Sequence, residues 1–163
     1  MMQYLVVYFS RSGKTAMVAG MIAKLLDADI EEVKCEESYS GPVGWLKGLF
    51  SLVGGKKSRL TSSHEQPGKT TVILGMPVWG SNVPPPMRAY IESVDLSSAR
   101  VCAFCTFDGS GDKRLFRRLE QLVPNLSQHR LGLAKPSQQD TRFQNSLKKW
   151  VQQITQQSPP ASD

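Results

Sequence analysis

Tyr4-Leu5-Val6-Val7-Tyr8-Phe9-Ser10-Arg11-Ser12-Gly13-Lys14-Thr15 passes from a wholly apolar run into a short polar turn. A continuous apolar run of this length fits a strand buried on both faces, as in a parallel sheet. The next stretch places Met17, Val18, Met21, Ile22, Leu25 and Leu26 at helical spacing, which predicts an amphipathic helix ending near Asp27. The chain therefore begins strand, tight turn, helix.

Working outward, Ile30 to Val33 reads as a second, shorter strand and Thr70 to Met76 as a third that is almost wholly apolar. Arg100 to Phe107 reads as a fourth and His129 to Ala134 as a fifth, with helical patterns over Met87 to Val94, Asp112 to Leu122 and Asp140 to Ile154. Strands alternating with helices imply right-handed crossovers and a doubly wound α/β sheet covered on both faces. Glu36 to Gly68 is too long for a plain crossover. Trp45, Leu46, Leu49, Phe50, Leu52 and Val53 predict one amphipathic helix there, followed by a basic loop.

The 163 residues suffice for one domain with its own core, and 40% hydrophobic with 21% charged residues is the balance of an ordinary globular protein. One domain is expected over 1–156, with 157–163 a disordered tail that carries Pro159-Pro160 and no apolar anchor. No apolar run approaches the ~18 to 20 residues of a membrane span. The N-terminus lacks a signal-peptide pattern, so a cytoplasmic location is expected, and Asn125-Leu126-Ser127 is not read as a glycosylation site.

An odd count of three cysteines argues against a disulfide framework. Cys102 and Cys105 have redox or zinc spacing but lie in a predicted strand, where side chains three apart point to opposite faces. They are expected to be buried and structural. His64 and His129 are isolated and are expected to be surface histidines, with no metal role. The net charge of +6 favours acidic partners, anionic membranes or nucleic acid over another basic protein. Its small clusters, Lys56-Lys57-Arg59, Lys113-Arg114-Arg117-Arg118 and Lys148-Lys149, are for the most part expected to be solvated helix faces, and no interleaved aromatic pattern points to nucleic acid.

In an open α/β sheet, ligands bind beyond the carboxyl ends of the strands, where the winding reverses. Ser10 to Thr15 offers hydroxyls, backbone N–H groups and a helix N-terminus to an anion, the composition of a phosphate cradle. The same hydroxyls could instead serve as helix caps. Gly13-Lys14-Thr15 also resembles part of a nucleotide-hydrolase loop, but that pattern needs a Gly where Tyr8 stands. Pro77 to Pro86 sets Trp79 beside a Gly among prolines, a flat wall for a planar ring or equally a core residue. Thr106 to Asp112 supplies glycines for close backbone approach.

Ser10-x-Ser12-Gly13-x-Thr15, Gly75-x-Pro77-x-Trp79-Gly80 and the Gly-rich loop after the fourth strand, in this order, resemble flavodoxins and related FMN-binding flavoproteins over nearly the whole chain. The resemblance implies a five-stranded parallel sheet of order 2-1-3-4-5 with helices on both faces. It implies that Ser10, Arg11, Ser12, Gly13, Lys14 and Thr15 hold the FMN phosphate. Pro77, Val78, Trp79 and Gly80 would border the isoalloxazine, as would Thr106, Phe107, Asp108, Gly109, Gly111 and Asp112. In that family the peptide after the aromatic residue can turn its carbonyl toward the reduced flavin, and Gly80 suits such a change.

Two functions follow from the resemblance: electron carriage to a redox partner protein or small acceptor, or an NAD(P)H-dependent FMN reductase acting on quinones or similar acceptors. No residue is assigned a catalytic role. The third loop lacks the Tyr that often stacks on the second flavin face, so Phe107 substitutes or that face stays open. Flavodoxins are typically acidic around the flavin, whereas this chain is basic and has Ser81-Asn82 after Gly80. Less negative charge penalises an anionic reduced flavin less, so the low potential is expected to be less negative than in acidic flavodoxins. A potentiometric titration giving a deeply negative second couple would contradict this.

Overall fold

The computed structural model describes residues 3–34 and 71–156. The helix expected within 45–53, together with Cys35, His64 and the tail at 157–163, lies outside the described residues. The elements run β1 (Tyr4–Tyr8), α1 (Lys14–Leu26), β2 (Asp29–Glu32), β3 (Thr71–Pro77), α2 (Pro85–Ser93), β4 (Arg100–Phe107), α3 (Asp112–Leu122), β5 (Leu126–Ala134) and α4 (Thr141–Gln156). The strands form one five-stranded sheet of order β2-β1-β3-β4-β5 with every neighbour parallel. Among the described residues no helix is long and apolar enough to cross a membrane.

β3 is the axis of the fold. Six of its seven residues, Thr71 to Met76, are buried, because they carry side chains into both helical layers. Alternation sends Val72, Leu74 and Met76 to one face and Ile73 to the other. The first face packs against Met87, Tyr90 and Ile91 of α2 and Leu115, Phe116 and Leu119 of α3. The second packs against Val18, Ala19 and Ile22 of α1 and Leu147, Trp150 and Ile154 of α4.

Cys102 and Cys105 fall on opposite faces of β4, as strand geometry requires, and burial pushes both thiols above their usual range. Both are therefore poor nucleophiles. Tyr90 is fully buried, which pushes its phenol up to about 12.

Several boundaries differ from the sequence reading by one to three residues, and one residue differs in burial. α2 begins at Pro85 rather than Met87, because prolines fit the first helical turn, where an N–H has no intrahelical acceptor. β5 begins at Leu126, three residues before the apolar pattern becomes visible, since Ser127 and Gln128 are polar. His129 is only 7% exposed and not a surface residue: it sits on a strand, where an isolated polar side chain is carried inward by pairing rather than by its own hydropathy.

Gly75 pairs in register with Phe104, whose ring lies across it. A Cβ at Gly75 would come within 2.2 Å of the Phe104 ring, and that ring is fully buried and has nowhere to move. Gly75→Ala is therefore expected to cost about 1–3 kcal/mol by overpacking. Urea unfolding checks this, with part of the loss recovered when Phe104→Leu is added; an unchanged midpoint for the single variant would refute the packing account.

Candidate functional site

Three loops leave the carboxyl ends of β1, β3 and β4, on the two sides of the point where the winding reverses. Together they enclose a cavity of about 420 Å³, within the ~300–1,000 Å³ range of small-molecule sites.

The first loop is shaped by its own hydroxyl and glycine. Gly13 has φ 86°, a left-handed value that favours glycine, and it is the N-cap of α1. Its N–H donates to Ser10 Oγ at 3.1 Å, and its carbonyl accepts from Met17 N at 2.9 Å. No side-chain hydrogen bond caps α1 among the described residues, so the first-turn N–H groups keep their donor capacity. Thr15 turns inward instead: it is 2% exposed and its Oγ1 lies 2.8 Å from Thr106 Oγ1, tying α1 to β4.

The second loop starts at Val78, whose N–H donates to Thr106 O at 2.9 Å, extending the β3–β4 pairing past the strand. Trp79 to Asn82 then forms a tight turn closed by Asn82 N to Trp79 O at 2.8 Å, with Gly80 at φ 53° and Ser81 at φ 59°. Positive φ at both central positions is the geometry in which glycine and small polar residues are tolerated. The Trp79 indole stands edge-on to Phe9, centroids 5.4 Å apart and planes at 86°. Phe9 itself is buried, so the indole leans on the core while still lining the cavity.

The third loop packs back on the second. Gly111, the N-cap of α3, has φ 112°, and a Cβ there would meet Ser81 Oγ at 2.7 Å and Val78 Cγ1 at 3.0 Å. Only glycine lets the two loops touch. Lys135, just past β5, donates its N–H to Phe107 O at 2.8 Å and braces the loop from the other side.

The electrostatics are dominated by cations. Lys14 Nζ donates to Asp108 Oδ1 at 2.6 Å, joining the first and third loops across the cavity mouth. That hydrogen bond and the Lys14 charge, helped by Lys135 and Arg11, hold the Asp108 carboxyl below the usual carboxylate range. Three cations thus surround one carboxylate.

Of the residues singled out in the sequence, Arg11, Ser12, Lys14, Pro77, Val78, Trp79, Gly80, Thr106, Phe107, Asp108 and Gly109 line the cavity. Ser10, Gly13, Thr15, Gly111 and Asp112 stand behind that wall. The first four fix the loops as described, and Asp112 opens α3 with its side chain in the space that Gly132 leaves on β5. Ser110 also lines the cavity, and Phe9 and Lys135 support it. Ser110 lay inside a loop already marked by its glycines, whereas Phe9 and Lys135 act through contacts with no local pattern.

The family profile of the flavodoxins matches residues 3–154. No curated protein matches the sequence. Among solved structures, a protein of Bacteroides uniformis assigned as a flavoprotein is similar at 22% identity and TM-score 0.80, over 93% of this chain and 98% of that one. A Lactobacillus acidophilus flavoprotein in complex with FMN is similar at 19% identity and TM-score 0.67, over 92% and 99%. Oxidised flavodoxin 2 of Bacillus cereus is similar at 17% identity and TM-score 0.63, over 96% and 99%.

The Lys14–Asp108 pair has a definite pH dependence. Because the folded carboxyl titrates below its unfolded value of ~3.9, the pair's contribution is present above that value and is lost as pH falls through the depressed folded value. Lys14→Met is expected to raise the Asp108 midpoint toward the ordinary range in a carbon-detected NMR titration. A midpoint that stays put would show that Lys14 is not the cause.

Proposed function

The chain belongs to the flavodoxin family, and on that premise we propose that it binds one FMN in the three-loop cavity and carries electrons through it, to a redox partner protein or a small acceptor. One observation carries the reading: a phosphate-type donor set and an indole wall open into the same cavity. Arg11, Ser12 and Lys14 present two cations and a hydroxyl beside the uncapped first turn of α1, a combination that suits a phosphate dianion. Trp79, held upright by Phe9, and the backbone of Val78 and Gly80 offer a flat apolar side for a planar ring. The residues present therefore fit FMN.

Bound there, FMN would supply one- and two-electron redox chemistry, and the protein's share is binding, orientation and charge. Arg11 and Lys14 would neutralise the phosphate, with Lys14 exchanging or sharing its present partner Asp108. The buried Thr15–Thr106 hydroxyl pair fixes the cradle against β4, so that phosphate and ring sites keep a constant separation. The Gly80–Ser81 turn gives the peptide at the ring edge a backbone that can take either sign of φ at Gly80.

A second reading, an NAD(P)H-dependent reductase for quinones or similar acceptors, is favoured by Phe107. It is the one aromatic residue of the third loop, and its half-buried ring both lines the cavity and packs against the core, where a Tyr or Trp fully given to the cavity would cover the outer face of the flavin ring. An open outer face would admit a small substrate to the ring.

Free FMN added to the purified chain is expected to lose its fluorescence as it binds, and riboflavin, which lacks the phosphate, is expected to bind at least tenfold more weakly. Each charged hydrogen bond lost typically weakens binding by roughly 10- to 150-fold, so Arg11→Gln with Lys14→Met should weaken FMN far more than riboflavin. No quenching with excess FMN would end the proposal. With the flavin loaded, slow anaerobic reduction by NADH and NADPH selects the carrier, and rapid turnover of either selects the reductase.

A further inference from the structure

The first two turns of α3 run against the usual rule for helix ends. Lys113, Arg114, Arg117 and Arg118 are all exposed there, near the positive end of the helix dipole, where cations are disfavoured. They also stack as like charges at 113/117 and 114/118, an unfavourable i,i+4 arrangement. Among the described residues none of the four is in an ion pair. Of the neighbouring carboxylates, Asp108 pairs with Lys14 and Glu120 with Arg130 at 2.8 Å, while Asp112, the one acidic residue of the first turn, has its carboxylate beside Gly132 and pairs with none of the four. One acid against four cations leaves most of that charge uncompensated, the kind of local conflict that points to a functional surface.

Its position says which function. α3 starts directly after the third loop of the cavity, and at ~1.5 Å per residue Arg118 lies only about 9 Å along the axis from Asp112. Arg11, Lys14 and Lys135 continue the positive surface around the mouth. Among the described residues, the far edge of the sheet exposes Asp29 and Glu32 on β2, the latter 3.9 Å from Lys34 Nζ, so the cations at the cavity mouth are not matched by carboxylates beside them other than Asp108 and Asp112. Resting on the flavin-carrier reading above, we propose that the exposed face of α3 docks an acidic redox protein beside the cofactor cavity.

Charge complementarity selects that occupant. A membrane-surface helix must insert an apolar face, but Leu115, Phe116 and Leu119 of α3 are committed to the core. Single-stranded nucleic acid needs exposed aromatic platforms, and the exposed positions of this face carry none. An acidic protein needs only the cations.

The test uses the full chain loaded with FMN, photoreduced anaerobically and mixed in stopped flow with acidic plastocyanin or basic cytochrome c. Both are one-electron acceptors, so full reoxidation of one reduced flavin consumes two of either and releases the flavin's protons. The combined variant Lys113→Gln, Arg114→Gln, Arg117→Gln, Arg118→Gln is expected to be at least tenfold slower toward plastocyanin at about 10 mM ionic strength, and equal to the unaltered chain near about 500 mM. Arg114→Lys, Arg117→Lys, Arg118→Lys keeps the charge and should keep the rate.

Fluorescence titration first establishes that both variants bind FMN as the unaltered chain does; a chain that binds none fails the carrier reading, not the docking face. The docking face then has its own readout: capture of the flavin-free chain by immobilised plastocyanin, lost in the Gln variant. Equal low-salt rates for the unaltered chain and the Gln variant, or faster transfer to cytochrome c, would overturn the proposal. So would tighter binding through these four cations to phosphatidylserine vesicles or duplex DNA than to plastocyanin.

Discussion

The carboxyl edge of this molecule depends on the parallel pairing of β1, β3 and β4. Tyr8 pairs with Gly75 and Gly75 with Phe104, so the three strands are level as they approach their ends. Phe9 N donating to Gly75 O at 3.0 Å and Val78 N donating to Thr106 O at 2.9 Å carry that pairing into the loops. A slip of one residue in any strand would turn each core side chain to the wrong layer. Loops that leave one fixed sheet within three residues of the same height can share one cavity.

Buried contacts do the holding and exposed groups face the cavity. Thr15 and Thr106, both nearly inaccessible, satisfy one another across the α1–β4 boundary, where a lone hydroxyl would be costly to bury. Gly111 allows the second and third loops to touch, and Phe9 sets the angle of Trp79. These contacts are apolar or neutral and do not change with salt. Lys14 and Asp108, by contrast, are 45% and 72% exposed, and a pair so open to water is weak and easily exchanged. On the proposed reading, that suits two groups with an anion to accommodate between them.

The architecture was legible because it is written in local patterns. The apolar runs of β1 and β3, the helical spacing of α1 and the amphipathic stretch of α3 each declare themselves within a dozen or so residues, and alternation does the rest. The placing of the cavity followed from the same patterns, since it lies where strands end and winding reverses. What stayed hidden depends on contacts distant in sequence. Nothing near Thr15 signals that its hydroxyl faces Thr106, and nothing near Lys14 points to Asp108. His129 is isolated in the sequence, where the general tendency of histidine is toward the surface, yet its burial is decided by strand pairing and packing, which that tendency does not include.

The same division explains why a net charge of +6 does not disturb the fold. The basic residues at Arg11, Lys14, Lys113, Arg114, Arg117 and Arg118 lie in the first loop or on the solvent side of a helix, and none contributes to the two cores. Their cost is confined to local repulsion at the start of α3, which the burial of Leu115, Phe116 and Leu119 offsets. Surface charge is therefore free to vary while the sheet and its three loops stay constant. The three loops and the indole wall belong to the frame, and the sign of the field around them does not.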